Sequence, residues 1–166
     1  MDLKIFFHPE RCMLCFSCVL ACQLKSLGIR EVTKVSHGQR PLPRISVRFD
    51  HGTPWVAKCQ HCITPPCVEA CVTGSLVHGN GRAGVVHHAE TCVGCGSCLL
   101  ACPYGSLTYD DREERMVKCD LCSGEEVPSC VKACQSKALV YGEPNLFAWN
   151  KKKKFAREWR RLHDGD

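Results

Sequence analysis

No stretch of this sequence approaches the roughly 18 consecutive apolar residues that a membrane-spanning helix needs, so no membrane span is expected. The opening residues, Met1-Asp2-Leu3-Lys4-Ile5-Phe6-Phe7-His8-Pro9, carry too short an apolar run for a signal peptide and no cleavage-type small residues. A twin-arginine pair near the start is also missing. These absences predict a cytoplasmic chain, at most peripheral to a membrane complex, whose thiols stay reduced. No nucleophile, base and oxyanion donor form a recognisable set, so the chain does not read as an enzyme in itself. The glycine-rich stretch Gly79-Asn80-Gly81-Arg82-Ala83-Gly84 lacks the strand-to-helix setting of a nucleotide fingerprint.

What the sequence has is cysteine, 16 in 166 residues. They fall into four groups of four: Cys12, Cys15, Cys18, Cys22; Cys59, Cys62, Cys67, Cys71; Cys92, Cys95, Cys98, Cys102; and Cys119, Cys122, Cys130, Cys134. Each group opens C-x-x-C and closes C-x-x-x-C, and only the middle gap varies. Such density signals either disulfides or metal. Disulfides belong to secreted chains, and a catalytic dithiol does not explain four repeats of four. Structural zinc wants paired C-x-x-C knuckles without a third cysteine three residues on. The third group, Cys92-Val93-Gly94-Cys95-Gly96-Ser97-Cys98-Leu99-Leu100-Ala101-Cys102-Pro103, reproduces instead the bacterial ferredoxin run C-x₂-C-x₂-C-x₃-C-P. Three closely spaced cysteines on one loop reach three corners of a cubane, while Gly94 and Gly96 let backbone N–H groups approach the sulfides. The fourth leaves on a short helix toward the other cluster of a pair. Four [4Fe–4S] clusters are therefore expected. The formal charge of +5 counts every thiol as neutral; four such centres at about −2 each leave the loaded chain near −3, which removes most of the case for a nucleic-acid partner.

Unequal distances between the groups argue against a solenoid and for a small unit duplicated and then altered by insertion. Short β-type runs flank the groups, at 3–7, 44–49, 84–87, 106–109 and 138–141. In Arg44-Ile45-Ser46-Val47-Arg48-Phe49 polar and apolar residues alternate, as in a half-buried strand. Turn residues stand at Gly79-Asn80-Gly81 and Pro41-Leu42-Pro43. Val19-Leu20-Ala21 and Leu99-Leu100-Ala101 suit short helices, and Glu31 to Arg44 reads as a surface loop within the longest cysteine-free segment, Leu24 to Lys58. Elements this short build little core, so the clusters must supply much of the folding free energy.

His61-Cys62-Ile63-Thr64-Pro65-Pro66-Cys67-Val68-Glu69-Ala70-Cys71 resembles the H-C-x-x-P-P-C-V-x-x-C run of the dimethyl sulfoxide reductase-type iron–sulfur subunits. Cys102-Pro103-Tyr104-Gly105 is similar to their C-P-Y-G stretch. Lys118-Cys119-Asp120-Leu121-Cys122 with Pro128-Ser129-Cys130-Val131-Lys132-Ala133-Cys134 is similar to their K-C-D-x-C…P-x-C-V-x-x-C group. The resemblance spans about residues 3 to 142. It implies an α+β fold of two bacterial ferredoxin-like modules, each holding two [4Fe–4S] clusters among short strands and helices. Residues 1–23 with 110–142 would form the first module, 24–109 the second, nested within it, and 143–166 a basic tail. The resemblance also implies a ligand exchange. Cys12, Cys15 and Cys18 would share a cluster with Cys134, and Cys119, Cys122 and Cys130 one with Cys22. Cys59, Cys62 and Cys67 would be joined by Cys102, and Cys92, Cys95 and Cys98 by Cys71. Val72 and Gln135 stand where the family often has a proline, which shapes a turn and supplies no ligand.

The short form, without long insertions, is similar to the four-cluster carriers of carbon monoxide dehydrogenase, hydrogenase and formate dehydrogenase systems of anaerobic metabolism, with carbon monoxide dehydrogenase favoured. That implies a non-catalytic relay passing electrons between a catalytic oxidoreductase subunit and a second electron carrier or membrane-complex subunit. A freely diffusing polyferredoxin and a cluster-based redox sensor or maturation protein are the rival readings. Among other residues, His61 reads either as a hydrogen-bond donor to a cluster sulfur or as packing at the module interface. His87-His88 reads as a surface or strand-end pair, and Tyr104 and Trp55 as shields against water. In the tail, Leu146, Phe147, Trp149, Phe155, Trp159 and Leu162 interleave with Lys151 to Lys154, Arg157, Arg160 and Arg161. Phe155, Trp159 and Leu162 share one helix face. Such a helix docks on a partner, packs back on the chain or lies on an anionic membrane.

Overall fold

Runs of three to six residues with β-branched and aromatic side chains are long enough for hairpins and too short for a broad sheet. The structure, a computed structural model, describes residues 3–39, 41–79 and 84–163. Its strands pair only in twos, all antiparallel. Strand β1 (Lys4–Phe7) pairs with β8 (Leu139–Gly142), joining segments far apart in sequence, with Ile5 opposite Tyr141. Strands β2 (Ile45–Asp50) and β3 (Thr53–Lys58) form a hairpin whose turn residues, His51 and Gly52, both have positive φ, as a tight two-residue turn demands. Strands β4 (Leu76–His78) and β5 (Val85–His87) form a third pair, and β6 (Thr108–Asp110) and β7 (Arg115–Val117) a fourth.

Strands β1, β2, β5 and β8 stand where the residue pattern predicts them, while the run at 106–109 is paired two residues later than its start, as β6. The pattern misses β3, β4 and β7. Strand β3 contains Pro54, which cannot donate to a ladder and reads as an interruption. Strands β4 and β7 have three residues each, too few to show an alternation. The turn expected at Gly79-Asn80-Gly81 and the stretch running on to Ala83 lie largely outside the described residues.

The helices are α1 (Ser17–Ser26), α2 (Pro66–Glu69), α3 (Ser97–Ala101), α4 (Ser129–Lys132) and α5 (Pro144–His163). In each of the first four, the third cysteine of a group is the second helical residue: Cys18, Cys67, Cys98 and Cys130. Helices α1 and α3 start after a left-handed residue, Phe16 or Gly96, whereas α2 opens on Pro66, whose missing N–H costs nothing at that position, and α4 follows Pro128. Helix α1 packs on α4, and α2 on α3. The buried core divides the same way. Ile5, Ile45, Leu121, Ala138 and Leu139 surround Cys130 and Cys134, while Leu76, Val85, Leu107 and Met116 surround Cys67 and Cys98. No described helix is long and apolar enough to cross a membrane.

Helix α5 confirms the helical tail and shows how it attaches. Only Phe147 is drawn in, stacked on the Phe6 ring with centroids 4.1 Å apart, and Lys151 approaches Glu10 at 3.8 Å. Beyond that first stretch, Phe155, Trp159 and Leu162 stay exposed.

Candidate metal centres

Loops with left-handed residues at fixed places present each cysteine group. Between the first three cysteines, Leu14 and Phe16 of the first group and Gly94 and Gly96 of the third all have positive φ. Alternating left-handed and ordinary residues turns successive N–H groups toward one concave side, a cradle for anions such as sulfide. Glycine takes this shape without strain in the third group; leucine and phenylalanine take it in the first. Between the opening cysteines of groups two and four, His61 and Leu121 are the left-handed residues. Pro65 and Pro128, both fully buried, then precede α2 and α4.

All sixteen cysteines are free thiols, and backbone N–H groups point at many of their sulfurs. Arg44 donates to Cys22 Sγ at 3.2 Å, His61 to Cys59 at 3.4 Å and Leu121 to Cys119 at 3.4 Å. Ser129 donates to Cys122 at 3.4 Å, Leu76 to Cys71 at 3.4 Å and Leu139 to Cys134 at 3.3 Å. Such bonds favour the thiolate that iron requires. The last two follow left-handed turns at Gly74 and Lys137, so the segments after Cys71 and Cys134 turn alike without the proline that Val72 and Gln135 replace.

Groups one and four meet, and so do groups two and three. One enclosed cavity is lined by Cys22, Cys119, Cys122 and Cys130. A second is lined by Cys59, Cys62, Cys67 and Cys102. The remaining cysteines approach across the same divisions: Cys134 stands close enough to raise the Cys18 pKa, and Cys71 close enough to raise that of Cys98. Burial, then these neighbours, pushes Cys18 and Cys98 up to about 11. Burial alone dominates at Cys119, pushed up to about 12, and drives Cys130 higher still, with Cys119 and Cys22 adding to it. These quartets disfavour four bare thiolates and suit a group that neutralises them. Cys71 is the opposite case. Burial works against its ionisation, yet the Ser75 hydroxyl, the Leu76 N–H and Thr73 together lower it to about 7. Among the described residues no trio of His, Cys, Asp or Glu is gathered tightly enough for a single ion. Two of the quartets line cavities instead.

Exposure differs among the cysteines. Cys15 and Cys95, the second cysteines of groups one and three, are exposed, whereas Cys67, Cys98, Cys122, Cys130 and Cys134 are buried. Near Cys15 in sequence lie the exposed Met13, Phe16 and Leu20, and near Cys95 the exposed Val93, Leu99 and Leu100. Sequence reasoning placed partner docking on the tail and did not single out these two apolar stretches. Their residues are ordinary fillers between cysteines, with no signal except the symmetry of the two groups.

His61 is 3% exposed and both ring nitrogens lack hydrogen-bond partners; its backbone N–H, not its ring, reaches a sulfur. Burial, with Lys118, Lys4 and Lys58 nearby, lowers its pKa to about 3 and keeps it neutral. Its carbonyl accepts a bond from Lys4 Nζ at 2.9 Å. Tyr104 lines the Cys59 cavity, as a shield would, although half of it is exposed. Trp55 stands exposed on β3 opposite Arg48 and lines neither cysteine cavity. His87 closes β5, as the strand-end reading has it, half-buried with its Nε2 unpartnered, and His88 lies 3.5 Å from Glu90.

Known proteins are similar to this chain. The profile of the 4Fe-4S dicluster domain matches residues 53–144. An iron-sulfur protein of Rhodospirillum rubrum is 30% identical, with the alignment covering 98% of this chain and 93% of that protein. The B subunit of the anaerobic dimethyl sulfoxide reductase of Haemophilus influenzae is 35% identical over 82% of this chain and 71% of its own length. An uncharacterized ferredoxin of Methanocaldococcus jannaschii is 34% identical over 91% and 79%. The chain thus belongs to the 4Fe–4S dicluster family of dimethyl sulfoxide reductase-type iron–sulfur electron-transfer proteins, and its sixteen cysteines fit four [4Fe–4S] clusters.

Proposed function

We propose that this chain is the wire of an oxidoreductase complex, taking single electrons from a catalytic subunit at one end and handing them to a second carrier or membrane-complex subunit at the other. The observation that carries this is the pairing of two cysteine quartets that line cavities with two exposed cysteines, Cys15 and Cys95, set among exposed apolar residues. A bound [4Fe–4S] centre supplies reversible one-electron chemistry. The protein's part is to hold the thiolates, exclude water and set the charge around them.

The cavities and the cross-group neighbours support the exchanged ligand sets: Cys12, Cys15, Cys18 and Cys134; Cys119, Cys122, Cys130 and Cys22; Cys59, Cys62, Cys67 and Cys102; Cys92, Cys95, Cys98 and Cys71. Two ferredoxin-like modules follow, 1–23 with 110–142 and 24–109, with the α1–α4 and α2–α3 contacts as their internal seams. The inner sets are those of the two cavities, and the outer sets contain Cys15 and Cys95. Donor and acceptor would dock on the Met13/Phe16/Leu20 rim and the Val93/Leu99/Leu100 rim, with the basic face of α5 as a further contact. The short form of the chain favours a carbon monoxide dehydrogenase as the catalytic partner, ahead of a hydrogenase or a formate dehydrogenase, in the cytoplasm or at the membrane face.

The ligand sets are tested by paramagnetic resonance of single variants. Cys22→Ala and Cys119→Ala should perturb the same reduced-cluster signal, and Cys12→Ala a different one. If Cys22→Ala and Cys12→Ala perturb one signal together, the exchange is wrong.

A further inference from the structure

Two lysines occupy places where lysine is rarely tolerated. Lys58 is 6% exposed and Lys118 is 4% exposed. Each directly precedes the first cysteine of its group, Cys59 or Cys119. Lys118 Nζ donates to the Val85 and Cys119 carbonyls, both at 2.8 Å, and Lys58 Nζ to Gln60 Oε1 at 3.1 Å. Neither ammonium has a carboxylate within ion-pairing distance among the described residues. A buried cation without a counter-ion is strongly unfavourable, so a sequence that keeps two of them requires a negative charge nearby.

The two side chains are crossed. Lys58 leads into Cys59 but lines the cavity of Cys22, Cys119, Cys122 and Cys130. Lys118 leads into Cys119 but lines the cavity of Cys59, Cys62, Cys67 and Cys102. Electrostatically, Lys58 interacts with Cys119, Cys59 and Cys130, and Lys118 with both Cys67 and Cys119. Both ammoniums therefore sit at the junction of the two inner quartets. The buried polar residues among the described ones are Lys58, His61, Ser75 and Lys118, so no further buried cation serves the outer sets.

We propose that Lys58 and Lys118 are a crossed pair of counter-charges which raise the reduction potentials of the two inner centres above those of the two outer ones. The proposal rests on the ligand sets given above. One added electron takes a centre from about −2 to about −3. A cation a few ångströms away, in a junction with little solvent to screen it, stabilises the more negative state. Because each lysine faces both quartets, losing either one lowers the same two couples.

The test is a potentiometric titration followed by paramagnetic resonance on the full, cluster-loaded chain, comparing wild type with Lys58→Met, Lys118→Met and, as a control, Lys152→Met on the exposed tail helix. In either buried-lysine variant, the oxidised-to-reduced ratio at the wild-type midpoint should rise about tenfold for the same two of four couples, a shift of about 59 mV for a one-electron step. The control should leave all four in place. Unchanged couples, a uniform shift of all four, or an equal shift in the control would overturn the proposal. Iron content is measured alongside. If Lys118→Met loses iron because two carbonyls lose their donor, Lys58→Met carries the test alone, and iron loss in both makes the lysines structural and refutes the proposal. Fewer than four couples in the wild type would refute the ligand sets themselves, and the proposal with them, before any variant is compared.

Discussion

At Gly94 the backbone adopts φ +66, and a Cβ placed there would run into the Glu114 carbonyl oxygen. Gly96, two residues on, has φ +77 with open space around it. The same substitution therefore has different costs at two glycines of one loop. Gly96→Ala should lose about 1 kcal/mol from left-handed strain alone. Gly94→Ala should lose about 2–3 kcal/mol, because overlap with a backbone oxygen adds to the strain. Denaturant midpoints of the loaded protein check the order, and equal losses would show that the contact with Glu114 yields freely. In the first group Leu14 and Phe16 already bear this kind of strain, beside exposed Cys15. Strain kept next to a site of exchange is what a functional loop shows.

Between elements, Glu125 straps α1 to α4: its carboxylate lies 2.9 Å from Lys25 Nζ and 2.7 Å from Lys132 Nζ. Hydrogen bonds from Lys132 and Lys25 hold its pKa at about 2, below the ordinary 4.5. A carboxylate depressed in this way stabilises the fold fully above pH 4.5 and loses that effect as pH falls toward 2. Wild type should thus be more resistant to urea than Glu125→Gln, by a margin that stays constant from pH 8 to pH 5. A margin that closes between pH 8 and pH 6 would mean that another group controls the strap. At this scale the sequence was legible where chemistry repeats. Cysteine spacing located α1 to α4, and the alternation of Arg44 to Phe49 located β2, while Phe155, Trp159 and Leu162 located the outer turns of α5. It was illegible where pairing is purely tertiary. Nothing local marks Arg44 as the N–H donor to Cys22, or Phe147 as the ring that stacks on Phe6. Nothing local shows that Lys58 and Lys118 line each other's cavities, because that depends on which quartet packs on which.

For the whole molecule, the proposed relay builds on two cores and two cavity-lining quartets. In that proposal the groups of Cys15 and Cys95 face the two partners and the inner quartets bridge the middle. Charge follows the same layout: buried lysines lie at the centre, and α5 carries Lys151 to Lys154, Arg157, Arg160 and Arg161 at the periphery. Loading the cysteines also stabilises the fold, since the buried residues around each quartet are few and the thiols themselves lie within the cores. All of this depends on how many cubanes one chain holds. Iron and acid-labile sulfide, determined on anoxically reconstituted protein, should each reach roughly 16 per chain. Stoichiometric zinc, or iron and sulfide sufficient for only one or two clusters, would contradict a four-cluster relay.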